Sequence, residues 1–193
     1  MKKTFLNLAV TGLLLWSLPS CGNNPNASDD SVDTAEKMND QMTDNKTSGV
    51  SEDDASFAVM AADAGMTEVE LGKVALSRSA NDEVKKYAQM MVDDHTAANN
   101  KLLSIAAAKM ITLPSSVSDE HKKHIDEMSK MSGKEFDKAY IDMMVNDHNK
   151  VVDAFRNENE RTNDAELKSF TAETLPVLTK HQEQAKALQE KMK

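Results

Sequence analysis

Two long stretches of this chain repeat their inward residues at alternating steps of four and three, and two more carry apolar residues along one side at helical spacing. This spacing is the strongest constraint on the fold. Such spacing forms a narrow seam along one side of an α-helix, the pattern by which helices pack in a bundle. We therefore predict an all-α domain with helices at about 54–79, 82–110, 134–159 and 165–192. The second seam comprises Val84, Ala88, Met91, His95, Ala98, Leu102 and Ile105.

Composition excludes several other classes of protein. With 6 Gly, 4 Pro and 4% aromatic residues, the chain has too few turn and strand residues for a β-sandwich or barrel. The 1 Cys rules out both a disulfide framework and a thiolate-rich metal site. A net charge of -9 gives no electrostatic basis for binding nucleic acid.

The helical stretches are interrupted in ways that predict their connections. Leu113-Pro114-Ser115-Ser116 ends the second helix, and a short polar helix follows at about 117–131. Gly65 and Gly72 weaken the first helix, so we expect a neighbouring helix to approach closely there. Pro176 removes a backbone hydrogen bond from the last helix and predicts a kink.

The N-terminus has the form of a bacterial lipoprotein signal. A basic start and an apolar core at 5–18 predict a signal peptide at 1–20, because this core is shorter than the roughly 20 residues that span a bilayer. Leu18-Pro19-Ser20-Cys21 resembles a lipobox and predicts lipidation of Cys21. The alternative is an ordinary secretory signal with Cys21 as a spare thiol.

The segment that follows is predicted to be a tether. Residues 21–53 are rich in Asn, Asp, Ser and Thr and have few large apolar side chains, so we expect disorder there. Gly22 follows the cysteine where aspartate commonly marks inner-membrane retention, so we expect anchoring in the outer membrane, facing the periplasm or the surface. The folded domain is then predicted at 54–193.

Two internal similarities suggest how the helices are arranged. Residues 87–95 resemble 140–148, since both read Tyr-x-x-Met-Met-Val followed by two polar residues and His. Residues 81–87 resemble 164–170. A first helical hairpin related to a second one, with a longer crossover between them, is the ferritin-like antiparallel four-helix arrangement.

The chain also resembles a known family through four blocks in order. They are Phe57-x-x-x-Ala61-Ala62-x-x-Gly65-Met66-x-Glu68, Val84-Lys85-x-Tyr87-Ala88-x-x-Met91-Val92-x-Asp94-His95, Phe136-Asp137-x-x-Tyr140-x-x-x-Met144-x-x-x-His148 and Leu175-Pro176-x-Leu178-x-x-His181. These blocks resemble the ferritin-like DUF4142 family, bacterial envelope proteins often labelled predicted outer membrane proteins. The resemblance spans about 57–188. It implies a ferritin-like bundle and an envelope location, and it implies no reaction.

Three histidines are the main candidate functional residues. His95, His148 and His181 each lie on the inward seam of a different predicted helix. A buried imidazole needs a hydrogen bond or a metal ion. One interpretation is structural, with the rings bonded to one another, to nearby Asp or Asn, or to water. The other is a transition-metal site in the bundle core.

Carboxylates could join such a site, although the pattern of a di-iron centre is absent. The candidate supporting carboxylates are Asp94, Asp147, Asp63 and Glu68. A ferritin-type di-iron site needs a Glu-x-x-His step on each of two helices, and no such step occurs in this sequence. Ferroxidase activity is therefore not expected.

Two weaker patterns also bear on metal binding. Among the 13 Met, Met90, Met91, Met143 and Met144 lie within about one turn of a histidine, and thioether with imidazole suits Cu(I). The more common use of methionine is as adaptable core filler. His121-x-x-His124 is interpreted as part of a solvated helix face that could bind a surface metal adventitiously.

These patterns leave two main hypotheses for function, with a helical module that binds a partner protein as a third possibility. The first is a non-enzymatic envelope lipoprotein, held to the membrane by its lipid, with a binding or stress-related role and an unknown protein partner. The second is a metal-binding protein that uses the histidine cluster. The sequence shows neither a nucleophile with a base at recognisable spacing nor a phosphate-binding loop. No such motif therefore indicates an enzyme.

Overall fold

The computed structural model describes residues 30–45 and 49–192, which form six α-helices and no strand. The helices are α1 Ser31–Asp44, α2 Glu52–Arg78, α3 Asp82–Lys109, α4 Asp119–Met128, α5 Gly133–Arg161 and α6 Ala165–Lys191. None of them is both long and apolar enough to cross a membrane. The predicted signal peptide at 1–20 and the predicted lipidation site Cys21 lie outside the described residues.

The four long helices pack as antiparallel pairs in a bundle. α2 packs along α3 and α5 along α6, while α2 also contacts α5 and α3 contacts α6. The connection from α3 to α5 carries the short helix α4, which lies against α2 and α5. The predicted all-α class is confirmed, and a short helix lies in the crossover as expected.

The core consists of two apolar clusters near opposite ends of the bundle, and each long helix contributes to both. The upper cluster includes Phe57, Leu102, Phe155 and Phe170. The lower cluster includes Leu71, Val84, Tyr140 and Ala185. The order of these residues shows that α2 and α6 run downward while α3 and α5 run upward. The crossover therefore returns the chain along the length of the bundle.

Polar side chains begin the long helices close to the predicted positions. The sequence offers Asn81 or Asp82 as the cap of α3, and Asn163 or Asp164 as the cap of α6. In the structure, Asn81 and Asp164 accept hydrogen bonds from backbone N–H groups in the first turns of these helices. α2 begins earlier than predicted because Ser51 is its N-cap and forms a capping box with Asp54. Pro176 lies inside α6, and the kink there stays a prediction.

The predicted disordered tether is wrong over the segment that forms α1. Ala35 is buried against the bundle, and the Asn39 side chain both accepts from the N–H of Thr112 and donates to its carbonyl. Ser31 accepts a hydrogen bond from the N–H of Ser115, which attaches the start of α1 to the crossover. The prediction was based on the scarcity of large apolar side chains, whereas this helix packs against α2 and is also attached to the crossover by polar side chains. The folded region thus extends upstream of residue 54.

The expected close approach at the two glycines of α2 is confirmed. A β-carbon on Gly72 would lie 2.7 Å from Val92 Cγ2 and 3.1 Å from the carbonyl oxygen of Ala88. A β-carbon on Gly65 would instead meet the side-chain amide of Asn99 at 2.1 Å. The side-chain amide of Asn99 can rotate away from an added β-carbon, whereas the backbone of α3 at Ala88 cannot move without shifting the helix. Gly72 therefore sets the separation between α2 and α3.

This difference predicts opposite effects for two alanine substitutions. Gly72→Ala should lower the free energy of unfolding by about 1–2 kcal/mol, since overpacking costs about 1–3 kcal/mol and the gain in helix propensity returns part of it. Gly65→Ala should be neutral or stabilising, because Asn99 can rotate away. Urea denaturation of both variants checks this. Equal effects would mean that α3 shifts freely at both positions.

A buried acidic pair at the top of the bundle gives stability a pH dependence. Burial and the neighbouring Asp54 raise the pKa of Glu158 to about 7, against the opposing charge of Arg161. A raised folded-state pKa means that the folded protein holds the proton more tightly than the unfolded chain. The proton on Glu158 therefore makes its full contribution to the free energy of unfolding below about pH 4.5, the ordinary pKa of Glu. This contribution is lost as the pH rises through 7.

Glu158→Gln should remove this pH dependence, since glutamine carries a permanent donor toward Asp54. We expect the free energy of unfolding to fall between pH 5 and pH 8 in the wild type and to fall less in the variant. Chemical denaturation across this range measures the difference. Glu160→Gln, on the exposed side of α5, is the matched control and should follow the wild type. Parallel curves for all three proteins would contradict the assignment.

Candidate metal centre

Between the two apolar clusters lies a layer of four polar side chains, one from each long helix. Glu68 from α2, His95 from α3, His148 from α5 and His181 from α6 are each 5% exposed or less. The ring centroids of the histidines are 5.2 to 5.8 Å apart, and one nitrogen of each ring lies within 4.8 Å of one from each of the others. The three predicted histidines therefore do converge in the core.

Hydrogen bonds fix the orientation of two of these rings. His148 donates from Nδ1 to the carbonyl of Met144 at 3.0 Å. His181 Nε2 lies 2.9 Å from Asp94 Oδ2, and a carboxylate can only accept, so Nε2 carries the proton. His148 Nε2 and His181 Nδ1 then hold free lone pairs, and both atoms are buried without a hydrogen-bond partner in the structure. These are the nitrogens available to a metal ion.

Glu68 lies against His95 and His148 from the side of α2. Its Oε2 is 3.0 Å from His95 Nε2, and its Oε1 is 3.2 Å from His148 Nδ1. Although these distances are short, the angles at the contacts are unsuitable for hydrogen bonds. Both oxygens of Glu68 are therefore buried without a hydrogen-bond partner. His95 Nε2, which lies against Glu68, is likewise buried without a hydrogen-bond partner. Glu68 is thus placed to orient two histidines.

The charge states of these groups suit metal binding. Burial lowers the pKa of His181 to about 4, with the other two histidines adding to the effect, so that this imidazole is neutral at pH 7. Burial acts to raise the pKa of Glu68, but the interactions with His95 and His148 outweigh it and bring the pKa to about 2. Neutral imidazole and ionised carboxylate are the forms that bind a cation.

The separation of the nitrogens is compatible with one shared ion after a small contraction. Metal–nitrogen bonds of about 2.0–2.1 Å in a tetrahedral site place ligand atoms roughly 3.3 Å apart. The present limit of 4.8 Å requires inward movements of about 1 Å, within reach of side-chain rotation. Three protein ligands leave a fourth position for water or another small ligand.

The four predicted supporting carboxylates occupy different places. Glu68 adjoins the centre, and Asp94 orients His181 from its outer side. Asp63 does not reach the centre, because it accepts hydrogen bonds from the N–H of Ser118 and from His121 Nδ1. Asp147 is a third exposed and lies 4.0 Å from Lys150, and burial together with the charge on Glu68 raises its pKa. Neither Asp63 nor Asp147 is part of the cluster.

The second histidine pair does not form a comparable site. His121 uses Nδ1 for Asp63, which attaches α4 to α2, and its ring centroid is 6.5 Å from that of His124. Within residues 30–45 and 49–192, the three core histidines are the one group of three or more His, Cys, Asp or Glu side chains that lies close enough to share an ion. His121 is half-buried, which corrects its interpretation as part of a solvated face.

Methionines and two tyrosines lie in the core below the site. Met91 and Met144 are fully buried in the lower cluster, consistent with use as core filler. Tyr87 and Tyr140 stack edge to face at 6.2 Å, and neither hydroxyl has a hydrogen-bond partner among the described atoms. Burial, and to a smaller extent the charge on Glu68, raises the pKa of both phenols. Both tyrosines begin the repeated Tyr-x-x-Met-Met-Val segment, but neither is among the predicted functional residues.

Comparison with known proteins places the chain in a family without assigning it a role. No curated protein and no solved structure shows significant similarity. Residues 39–188 match a domain of unknown function, DUF4142, and this match includes the last part of α1 as well as all four helices of the centre. The chain belongs to the DUF4142 family.

Proposed function

We propose that this domain binds one divalent transition-metal ion in its core, through His95, His148 and His181. One observation carries the proposal: of the ten buried side-chain atoms without a hydrogen-bond partner in the described residues, five belong to these histidines and Glu68. Native proteins rarely leave buried polar atoms unpaired. A cation held by the three rings would take up the lone pairs of His148 Nε2 and His181 Nδ1, and the ionised Glu68 beside them would balance its charge.

The charges around the site support a dication. An ion of charge two in a nonpolar interior needs nearby negative charge. Glu68 supplies it from inside the core and Asp94 from the edge, while no Lys or Arg forms an ion pair with either carboxylate among the described residues. Each carboxylate also faces a ring nitrogen on the side away from the proposed ion, an arrangement that orients histidine ligands in metalloproteins.

The donor atoms favour borderline metals. Imidazole nitrogens suit Zn²⁺, Fe²⁺, Cu²⁺ and Ni²⁺, whereas Mg²⁺ and Ca²⁺ prefer oxygen and Cu(I) prefers sulfur. The proposed role is metal binding rather than di-iron oxidation, since the Glu-x-x-His steps of that chemistry are absent from the sequence.

Elemental analysis of protein purified without a histidine tag tests the proposal. After exposure to iron, copper, zinc and manganese in turn and removal of free metal, we expect about one ion per chain for at least one of them. The double variant His95→Ala, His148→Ala should retain none, and circular dichroism checks that it is still helical. No stoichiometric metal in the wild type would exclude the proposed function and favour a structural role for the histidines.

We also infer a ferritin-like arrangement of the four long helices. The parallel course of α3 and α5, with a crossover along the bundle between them, supports this topology.

The location we propose is the bacterial envelope, with the domain held by a lipid on Cys21. The support is the lipobox-like sequence, and α1 begins only ten residues later, a length that spans at most about 35 Å. Such a link would hold the domain near the membrane surface.

Cys21→Ser should move the protein from the membrane fraction to the soluble fraction, since a lipid chain supplies most of the membrane affinity of such a protein. Detergent partitioning of cells that express each form measures this. Partitioning identical to that of the wild type would contradict the lipid anchor and leave the metal proposal untouched.

A further inference from the structure

One face of the metal centre opens to solvent through a cleft between α3 and α6. The cleft has a volume of about 240 Å³, and both His95 and His181 line its inner end. Its walls are mostly small or apolar, and its charged side chains are Asp94, Lys101 and Glu173. This cleft connects solvent with two of the three proposed ligands.

The other approaches to the centre are closed. The upper and lower clusters cover it along the bundle axis. On the far side, Glu68 and His148 are 3% and 0% exposed. There α4 lies across α2 and α5, held by the bonds from Ser118 and His121 to Asp63.

Asp94 and a salt bridge mark the outer end of the cleft. The Asp94 side chain is 40% exposed, yet its Oδ2 lies 2.9 Å from His181 Nε2, so the same carboxylate reaches both solvent and a ligand. Lys101 of α3 pairs with Glu173 of α6 beside it. A cation that approaches therefore meets two carboxylates, one of which is held by a lysine.

We propose that the α3–α6 cleft is the port through which a divalent cation enters and leaves the core, with Asp94 as its first carboxylate and the Lys101–Glu173 pair across its mouth. This inference rests on the proposed function. A small inner cavity of about 20 Å³ adjoins Glu68 and shares His95, Ala98, Thr174 and Leu178 with the cleft. It has room for about one water, which continues the path to the centre.

Filling the cleft should slow exchange of the ion without changing its affinity. Ala97 is exposed and lines the cleft, so Ala97→Phe adds bulk there without disturbing the core. In stopped-flow experiments with metal-free protein and Co²⁺, followed by cobalt absorbance, we expect uptake and chelator-driven release both to slow at least about tenfold. The dissociation constant should stay within about twofold, since the ligands are unchanged. Thr96→Phe is the control, because Thr96 lines a groove on the α2 side of α3.

The salt bridge gives a second, independent variant. Lys101→Met removes the positive charge at the mouth and frees Glu173, so Co²⁺ uptake should become several-fold faster at low ionic strength and less so in high salt. Lys150→Met changes the net charge equally from an exposed position on α5 and should leave the rate as in the wild type.

The outcomes separate the port from the metal site itself. If the wild type binds Co²⁺ and neither Ala97→Phe nor Lys101→Met alters its rates relative to the controls, the port is wrong and the metal site stands. If the wild type binds no Co²⁺ and none of the other metals tested, the proposed function fails and the port fails with it.

Discussion

Glu68→Gln should lower the affinity of the domain for its metal ion by 10- to 100-fold while leaving about one ion bound per chain at saturation. Glutamine keeps the size of the side chain but removes the negative charge that faces His95 Nε2 and His148 Nδ1. Loss of a group that orients metal-binding histidines costs affinity on this scale. The variant also loses the charge buried nearest the proposed ion. Competition titration against a chromophoric chelator measures the dissociation constant.

Thermal stability provides a second measurement of the same change. At a free metal concentration of 100 times its dissociation constant, the wild type should gain about 2.7 kcal/mol, a rise in Tm of roughly 5–10 °C for a domain of this size. At the same concentration the variant should gain about 1.3–2.3 kcal/mol less than the wild type.

Glu70→Gln is the matched control, since Glu70 lies on the same helix, is half-exposed and pairs with Lys73. It should behave as the wild type. If Glu68→Gln abolishes stoichiometric binding altogether, Glu68 is itself a ligand and its assignment as an orienting group is wrong. If the affinity is unchanged, Glu68 has no part in the site.

The bundle was predictable because its signal is distributed over many residues. Each seam determines the inward side of a whole helix, so an error at one position changes the predicted fold little. The long helices lie within a few residues of their predicted bounds. Polar N-cap residues, Asn81 for α3 and Asp164 for α6, also indicate where these two helices begin. By contrast, α1 is attached to the crossover by a few hydrogen bonds, which include those between Asn39 and Thr112. No periodic pattern in the sequence predicts such contacts.

The candidate site was predictable in its histidines and only partly in its carboxylates. The alternating steps placed His95, His148 and His181 on inward seams, and their meeting in one layer follows from the packing. Glu68 lies on the seam of α2 as well, four residues after Ala64 and three before Leu71. That position could have distinguished it from Asp63, which lies off the seam and bonds to α4. The roles of Asp94 and of the α3–α6 cleft depend on three-dimensional distances, which no spacing specifies.

Replacement of the whole polar layer by leucine should stabilise the metal-free protein. The variant Glu68→Leu, His95→Leu, His148→Leu, His181→Leu removes five unpaired buried atoms, two of which are the oxygens of the Glu68 carboxylate. It also joins the upper and lower clusters into one core. Exchanging buried charged groups for apolar side chains of similar volume often stabilises by about 1–4 kcal/mol. Asp94 loses its partner at little cost, because its side chain is 40% exposed. Urea denaturation with a chelator present compares the two proteins.

The sign of this change in the free energy of unfolding shows whether the polar layer serves metal binding or stability. A more stable variant that binds no metal would mean that the wild type keeps the four polar side chains at a cost in stability, as expected of a binding site. A variant less stable than the metal-free wild type by more than about 1 kcal/mol would mean the reverse. The imidazoles and Glu68 would then form a stabilising polar network in their own right, and the proposal of a metal centre would lose its main support. The distinction requires no knowledge of the metal, since both proteins are measured without it.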